Sequence, residues 1–305
     1  MVPARVPCRP YEPEESVIDR ERSLERIASR WSFQGQLEAT SGLHVGAGAG
    51  SLLVVDSPIV RDAGGRPYVP ATTIKGAMRS CVDRLGPVVG SERGITACGL
   101  SPREEHCPSP AGSPASHAVE SALREFRGTA QEREEQLLRL LAERLCSTCR
   151  LFGSPWLAGR LFFSDATPTG DTAAPVEIRD GIGIDRDSGV AREASHYSYE
   201  ALPASLRFAF RLEAHNLDES DQALLALALS EWQRGAVPLG GGAARGLGVA
   251  RMTLQSVQTL DFRTASLDDR RAYLHHGAMT ELAPAAWLDA ATAWLFQSGN
   301  ETADA

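Results

Sequence analysis

The stretch VVDSPIVRDAGGRPYVPATTIKGAMR, residues Val54–Arg79, indicates how the rest of the chain folds. It opens with an apolar run that ends in a carboxylate, Asp56, and later turns through DAGG, whose residues tolerate positive φ angles. A short extended piece follows, because a proline biases the residue before it toward β geometry. The pattern predicts a strand, a turn, a short strand, a second turn and a helix that begins near Ile74.

The start of that helix has the features of a phosphate site. Thr72 or Thr73 can cap it, and Lys75 follows one turn later. A helix N-terminus attracts anions, because its first N–H groups are unpaired and its dipole is positive there. Lys75 is also the only lysine in a sequence whose other strongly basic residues are all arginine. A functional phosphate contact and a lysine on a solvated helix face are the two interpretations, and we favour the first.

Size, charge and hydropathy exclude several classes of protein. A chain of 305 residues can bury the core of one elaborated domain or of two small ones. The net charge of −8 argues against indiscriminate binding of polyanions, although it leaves room for a local basic groove. No run approaches the roughly 20 apolar residues of a membrane span, and the N-terminus lacks the apolar core of a signal peptide. We expect a cytoplasmic protein with no membrane partner.

The cysteines predict a metal site. Six cysteines in a cytoplasmic chain indicate metal ligands or free thiols rather than a disulfide framework. One pair has C-x2-C spacing, and four thiolates suit a tetrahedral structural zinc ion. Such a site would hold together the loop-rich insertion at residues 86–150. Replacement of the second ligand by His106, and separate free thiols, remain the alternatives. The predicted ligands are Cys98, Cys107, Cys146 and Cys149.

Five motifs, taken in order, resemble the RAMP superfamily of CRISPR systems. They are GLHVGAG at 42–48, VDSPIVRD at 55–62, GRPYVPATTIKGAMR at 65–79, CRLFGS at 149–154 and GGGAARGLG at 240–248. The sequence is most similar to the repeating backbone subunit of type III effector complexes. The resemblance implies an α+β fold, a ferredoxin-like or RRM-like domain with large insertions. One of those insertions is a projecting thumb hairpin, and the cysteines predict that another is a zinc-stapled helical segment.

The residue patterns and the resemblance together divide the chain. Partial helical spacing predicts an N-terminal arm or helix at 1–31, and aromatic-bearing helical segments predict a helical tail at 256–305. The resemblance implies a RAMP domain at 32–255 with the insertion 86–150 and a thumb hairpin at about 176–199. From the residues themselves, the alternating LRFAFRL at Leu206–Leu212 predicts a strand. Asp218 is a predicted helix cap, and Asp165 is expected to be a capping or turn residue, with a second metal carboxylate as its alternative.

The family's partners are guide RNA (crRNA), complementary target RNA, further copies of the subunit in a filament and other effector subunits. In the family, the thumb hairpin kinks the guide–target duplex at six-nucleotide intervals. The resemblance, together with the phosphate-site features, therefore predicts the following RNA-binding residues: His44, Gly46, Thr72, Thr73, Lys75, Arg79, Arg179, Arg186, Arg192, Gly241, Gly242 and Arg245.

The resemblance places the chemistry at Asp56. Family members that cut target RNA carry an aspartate before Ser-Pro or Asn-Pro, and Asp56 precedes Ser-Pro here. Attack by a 2′-hydroxyl requires removal of a proton and neutralisation of charge at phosphorus, and a carboxylate can act as the base or hold Mg²⁺. We therefore predict a metal-dependent endoribonuclease. The alternatives are a non-catalytic RNA-binding scaffold or capping subunit, and a guide-processing endoribonuclease centred on His44.

Overall fold

The computed structural model describes most of the chain. The described residues are 26–48, 55–99, 107, 114–155, 157–170 and 176–297. The predicted N-terminal arm therefore lies almost wholly outside the described residues, as does His106.

Two sheets organise these residues. The larger is a five-stranded antiparallel sheet with the order β2-β5-β1-β6-β7, and the smaller is the hairpin β3-β4. The strands are β1 (Ser29–Ala39), β2 (Leu161–Phe163), β3 (Glu177–Ile184), β4 (Ala191–Ala201), β5 (Arg207–His215), β6 (Ala250–Asp261) and β7 (Thr280–Leu282). The chain is thus a mixed α+β protein, as the sequence predicts.

The described residues form seven α-helices, which are interspersed with the strands along the chain. They are α1 (Ala71–Val89), α2 (Pro114–Glu125), α3 (Ala130–Arg144), α4 (Ser147–Phe152), α5 (Glu219–Gln233), α6 (Leu267–His276) and α7 (Pro284–Ala293). Three short 3₁₀ helices lie at Ser91–Arg93, Ala243–Arg245 and Trp294–Phe296. None of the helices within the described ranges is both long and apolar enough to cross a lipid bilayer.

Strand β1 lies at the centre of the large sheet, because it pairs with β5 on one edge and with β6 on the other. Its alternating pattern sends Phe33 and Leu37, both fully buried, into the core beneath α1 and α5. Gly35 lies where the pairing with β6 shifts register. A Cβ atom there would come within 2.4 Å of the Thr253 carbonyl oxygen, so only glycine allows this close pairing.

Helix α5 is buried on almost every side, which fits its run of leucines and alanines. Asp218 caps it and accepts a hydrogen bond from Asp221 N at 2.9 Å, so the predicted cap is confirmed. The Asp221 carboxylate in turn pairs with the buried guanidinium of Arg160. This ion pair ties the start of α5 to the segment that leads into β2.

The start of α1 differs from the sequence prediction. The helix begins at Ala71 directly after Pro70, and neither Thr72 nor Thr73 caps it. Instead Asp165 Oδ1 accepts a hydrogen bond from Ala71 N at 2.7 Å, which confirms the capping role expected of Asp165. The predicted threonine cap is wrong, because helical geometry is established one turn earlier, where a carboxylate from a distant segment supplies the acceptor.

The C-terminal segment combines a strand with helices. β6 continues to Asp261, and β7 then adds an edge strand to the sheet before α7 packs onto α5. In that packing Trp287 contacts Phe33, with ring centroids 4.9 Å apart. Within residues 256–297, β6 and β7 therefore belong to the main sheet and α7 to the core, so this part of the chain is not purely helical.

Candidate functional site

The two glycine-rich loops, far apart in sequence, meet in the structure. Gly241 N donates a hydrogen bond to the His44 carbonyl oxygen at 2.8 Å. Gly240 has a φ of +76°, and a Cβ atom there would lie 2.3 Å from the same oxygen. Gly246 also adopts a positive φ, but it faces open space. Gly241 is exposed, so the joined loops present backbone at the surface.

The hairpin β3-β4 borders these loops. Leu43 and Leu202 exchange two backbone hydrogen bonds, which attach the end of β4 to the first glycine-rich loop. Arg179, on β3, pairs with Glu177 at 2.8 Å and lies so close to Gly42 that a Cβ atom there would be 2.9 Å from the Arg179 Nη2.

The far end of the hairpin carries two further arginines. The turn closes between Asp185 and Val190, with Gly189 at a φ of +69°, so the hairpin predicted around DSG is confirmed. Arg186 and Arg192 are both exposed beside this turn. They therefore lie at the tip, at the opposite end of the hairpin from the glycine-rich loops.

Asp56 is exposed and bonded to the hairpin. Its Oδ2 atom accepts hydrogen bonds from Ser198 N at 2.7 Å and from Ser198 Oγ at 3.2 Å. The next residue, Ser57, pairs with β4 through its backbone, donating to Ser198 O at 3.2 Å and accepting from Glu200 N at 3.0 Å. The Asp56 segment thus lies along the free edge of β4. In the described residues it forms isolated bridges rather than the continuous strand predicted there.

Glu200 fixes the remainder of the VDSPIVRD segment. Its Oε2 atom accepts hydrogen bonds from Ile59 N at 3.0 Å and from Arg61 Nη2 at 2.9 Å, and its side chain is only 15% exposed. Since Ser198 and Glu200 are alternate residues of β4, one strand holds the segment at both ends. Hydrogen bonds from β4 therefore fix the position of the Asp56 loop relative to the hairpin.

His44 connects three segments at this point. Its Nδ1 atom lies 2.6 Å from the Glu200 carbonyl oxygen, and its Nε2 atom lies 3.3 Å from Ser57 Oγ. A carbonyl oxygen only accepts, so Nδ1 carries a proton and donates it to Glu200. A Cβ atom at Gly46 would be 3.2 Å from Nε2, so glycine leaves the ring room.

The first turn of α1 carries the remaining predicted phosphate contacts. Thr72 is exposed, and Thr73 and Lys75 are half-buried. Burial, and then the charge of Arg79, lower the pKa of Lys75. Arg79 itself points elsewhere, since its guanidinium donates to the Gly153 carbonyl oxygen at 2.8 Å and to Cys149 Sγ at 3.0 Å. Its side chain is only 11% exposed, so we leave Arg79 out of the proposed RNA surface.

The four cysteines predicted as ligands come together. The sulfur atoms of Cys98, Cys107, Cys146 and Cys149 all lie within 4.8 Å of one another. Tetrahedral zinc with four thiolates places its sulfurs about 3.8 Å apart, from Zn–S bonds of about 2.3 Å. Leu141 and Leu145 enclose the cluster on its buried side. Hydrogen bonds from Cys107 and Cys149 lower the pKa of Cys146. The donor set fits a soft metal such as zinc.

Comparison with known proteins identifies the family. The sequence profile of the RAMP superfamily matches residues 36–251. The chain belongs to the RAMP superfamily. The matched range contains both glycine-rich loops, the Asp56 segment and the hairpin. A protein of Enterococcus italicus named CRISPR system Cms endoribonuclease Csm3 is 37% identical over 68 residues, which is 21% of this chain. The chain matches 32% of that relative, about a third of its length.

The RAMP resemblance stated from the sequence is therefore confirmed, whereas its residue assignments stay predictions. The structure gathers one group around the two loops and the base of the hairpin, comprising His44, Gly46, Asp56, Arg179, Gly241, Gly242 and Arg245. It places the second group apart, with Arg186 and Arg192 at the hairpin tip, Thr72, Thr73 and Lys75 on α1, and Arg79 against the cysteines.

The sequence analysis missed two tyrosines of this RAMP domain. Tyr197 and Tyr199 lie two residues apart on β4, with their rings 6.2 Å apart and inclined by 23°. Arg245 Nη1 donates a hydrogen bond to Tyr197 Oη at 2.6 Å. The signal was present in SHYSY, because aromatic residues at i and i+2 of a strand share one face.

Proposed function

We propose that this RAMP protein is a backbone subunit of a type III CRISPR effector complex that binds guide RNA and cleaves complementary target RNA. The observation that carries the proposal is the position of Asp56. It is exposed and anchored to the hairpin beside two joined glycine-rich loops. The partial match to a relative named as a CRISPR endoribonuclease supports the same assignment.

The finer description of the fold belongs to this proposal. The elements β1, α1, β2, β5, α5 and β6 follow a β-α-β-β-α-β order, and their strands occur in the sheet as β2-β5-β1-β6. This connectivity supports a ferredoxin-like domain. The β3-β4 hairpin, inserted between β2 and β5, is our candidate for the thumb. The segment that contains α2, α3 and the cysteine cluster is the large insertion.

The guide RNA would lie across the joined loops. Exposed glycine backbone lets a phosphate approach closely, and Arg179 and Arg245 lie beside the loops, next to Tyr199 and Tyr197 respectively. Contacts through phosphates carry no sequence information, which suits a protein that must accept many guides. The net charge of −8 is compatible with this, because a groove of glycine backbone needs only a few local arginines.

Asp56 supplies the chemistry in this proposal. Its carboxylate accepts the proton of a target 2′-hydroxyl, the 2′-oxygen forms a bond to the adjacent phosphorus, and the P–O5′ bond breaks. The departing 5′-oxygen takes a proton from water, which gives a 2′,3′-cyclic phosphate and a 5′-hydroxyl. Mg²⁺, which binds through one or two carboxylates together with substrate phosphate oxygens, would neutralise the charge that develops at phosphorus. Ser198 holds the carboxylate in place throughout.

Zinc and the partner subunits complete the proposal. The four cysteines hold a structural zinc that stabilises the insertion. Further copies of the chain and other effector subunits would flank it along the guide, in the cytoplasm.

The deciding experiment compares Asp56→Asn with wild type in the assembled complex. Asparagine keeps an oxygen that can accept from Ser198, but it can neither take the proton nor bind Mg²⁺ well. We expect cuts at six-nucleotide spacing with wild type and none with the variant, at unchanged target affinity. Asp62→Asn is the matched control, because Asp62 sits in the same motif but bonds Gly64 and Arg66. Equal cutting by Asp56→Asn would leave only the scaffold interpretation.

A further inference from the structure

We propose that Tyr197 and Tyr199 form a stacking subsite for the bases of single-stranded RNA. The inference rests on the proposed function in one respect, since it takes RNA as the ligand. It goes further because it assigns base contacts to two residues on a defined face of the hairpin.

The two near-parallel rings form a shelf on one face of β4. Their side chains leave β4 on the same face, and the rings are nearly parallel with centroids 6.2 Å apart. That separation is about twice the 3.4 Å rise of stacked bases along a nucleic acid strand. It is also close to the ~6.8 Å spacing of alternate residues along an antiparallel strand, so the rings follow one another along β4 and each can contact one base of an unstacked strand. Both tyrosines are half-buried, so part of each ring remains accessible.

The rings are held in position before any ligand arrives. Tyr197 packs across Gly181, its cross-strand neighbour, where a Cβ atom would be only 2.2 Å from the Tyr197 ring. Its hydroxyl group accepts from Arg245. The Tyr199 ring meets His44 edge-on, with centroids 5.6 Å apart. Because the rings are already ordered, binding loses little side-chain entropy.

Cations flank the shelf where a phosphate backbone would pass. Arg179 is the cross-strand partner of Tyr199, and the guanidinium carbon of Arg245 lies over the Tyr197 ring, 5.4 Å from the ring centroid. Aromatic rings beside a positively charged groove are the combination by which proteins bind single-stranded nucleic acid without sequence preference. Stacking on every base in this way suits a subunit that must hold guides of any sequence.

The shelf is separate from the carboxylate site. Ser198 lies between the two tyrosines in sequence, so its side chain leaves the opposite face of β4, where it bonds Asp56. Ile182 is 52% exposed and sits on β3 beside Gly181, so it also lies on the face opposite the tyrosines. Changes to the tyrosines should thus alter RNA binding without touching the groups that hold Asp56.

The test measures binding of the purified protein to labelled oligo(U) and to an abasic ribose-phosphate oligomer of the same length. Wild type should prefer oligo(U). Tyr197→Leu and Tyr199→Leu should each weaken oligo(U) binding by about 5- to 150-fold, which corresponds to ~1–3 kcal/mol per stacked base. Tyr197→Phe and Tyr199→Phe should retain most of the affinity. The abasic oligomer should bind wild type and the leucine variants alike.

Ile182→Ala is the matched control, since it changes an exposed apolar side chain on the other face of the hairpin, and it should bind as wild type does. Leucine variants that bind oligo(U) as tightly as wild type would overturn the shelf and leave the RNA-binding proposal standing. Equal affinity of wild type for the two oligomers would overturn it without any variant. Failure of wild type to bind either oligomer would overturn the proposed function as well.

Discussion

Ser198→Ala should slow target cleavage while leaving RNA affinity unchanged. The hydroxyl group of Ser198 makes two hydrogen bonds to Asp56, accepting from Asp56 N and donating to Asp56 Oδ2, both at 3.2 Å. Alanine removes both and keeps the shorter bond from Ser198 N at 2.7 Å. Ser198 touches no reacting atom in our proposal, so it acts as a positioning residue for the carboxylate.

The expected size follows from these contacts. A neutral hydrogen bond contributes roughly 0.5–1.5 kcal/mol and one to a charged group roughly 1.5–3 kcal/mol. Both contacts are long and solvent-exposed, so we expect a combined positioning effect of about 1–2 kcal/mol. If that amount is lost in the transition state, the rate of the chemical step falls about 5- to 30-fold.

The assay is single-turnover cleavage of a labelled target RNA by the assembled complex, with target affinity measured in parallel. Ser198→Thr restores a hydroxyl group at the same position of a strand, and it should recover most of the rate. Ser195→Ala is the control, because Ser195 is on the same strand but bonds the Gly183 and Arg192 carbonyl oxygens. A Ser198→Ala complex that cuts at the wild-type rate, or an equal loss in Ser195→Ala, would refute the positioning role.

Two further predictions concern the loops and the cysteines. Gly240→Ala and Gly246→Ala both force alanine into a positive φ, which lowers the free energy of unfolding by about 1–2 kcal/mol each. Only Gly240→Ala also clashes with His44. Urea unfolding should therefore show the larger loss for Gly240→Ala, and equal losses would contradict the close approach. A strong chelator or Cys146→Ser should lower Tm by about 10 °C, since ligand at one thousand times Kd stabilises by about 4 kcal/mol. Cys81→Ser, outside the cluster, should keep the metal measured by mass spectrometry, and a metal-free wild-type protein would contradict the zinc site.

The parts of the fold that the sequence predicts well are those set by local patterns. Alternation in LRFAFRL indicates β5, and the run of leucines after Asp218 indicates α5 with its cap. The same holds for the hairpin, whose DSG turn needs a residue with positive φ at Gly189. Each of these signals depends on residues a few positions apart, so a single sequence contains all of it.

The differences arise where distant segments compete with local preference. Threonine is a good cap residue, but here the Asp165 carboxylate accepts the hydrogen bond from Ala71 N, so the helix begins before either threonine could cap it. Apolar residues around Asp56 suggested a strand, yet Ser198 and Glu200 on β4 hold that segment as an irregular edge.

The candidate site was found only in part for the same reason. The glycine-rich loops and the four cysteines were predicted, because runs of glycine and the spacing of cysteines can be recognised in the sequence without the fold. The motif predicted Arg79 as an RNA contact, but its position on α1 directs its guanidinium group toward Cys149. The tyrosine shelf needed the pairing of β3 with β4, which places Gly181 beneath a ring.

The central place of β1 has a consequence for synthesis of the chain. Ala39 pairs with Ala250 and Ser29 with Asp261, so β1 finds its neighbour β6 only after some two hundred further residues have been synthesised. At about 5–20 residues per second this takes roughly 10–40 s. For most of that interval both edges of β1 lack a partner, because its other neighbour, β5, begins only at Arg207. A lower growth temperature, or a chaperone that shields extended segments, should therefore raise the yield of folded protein.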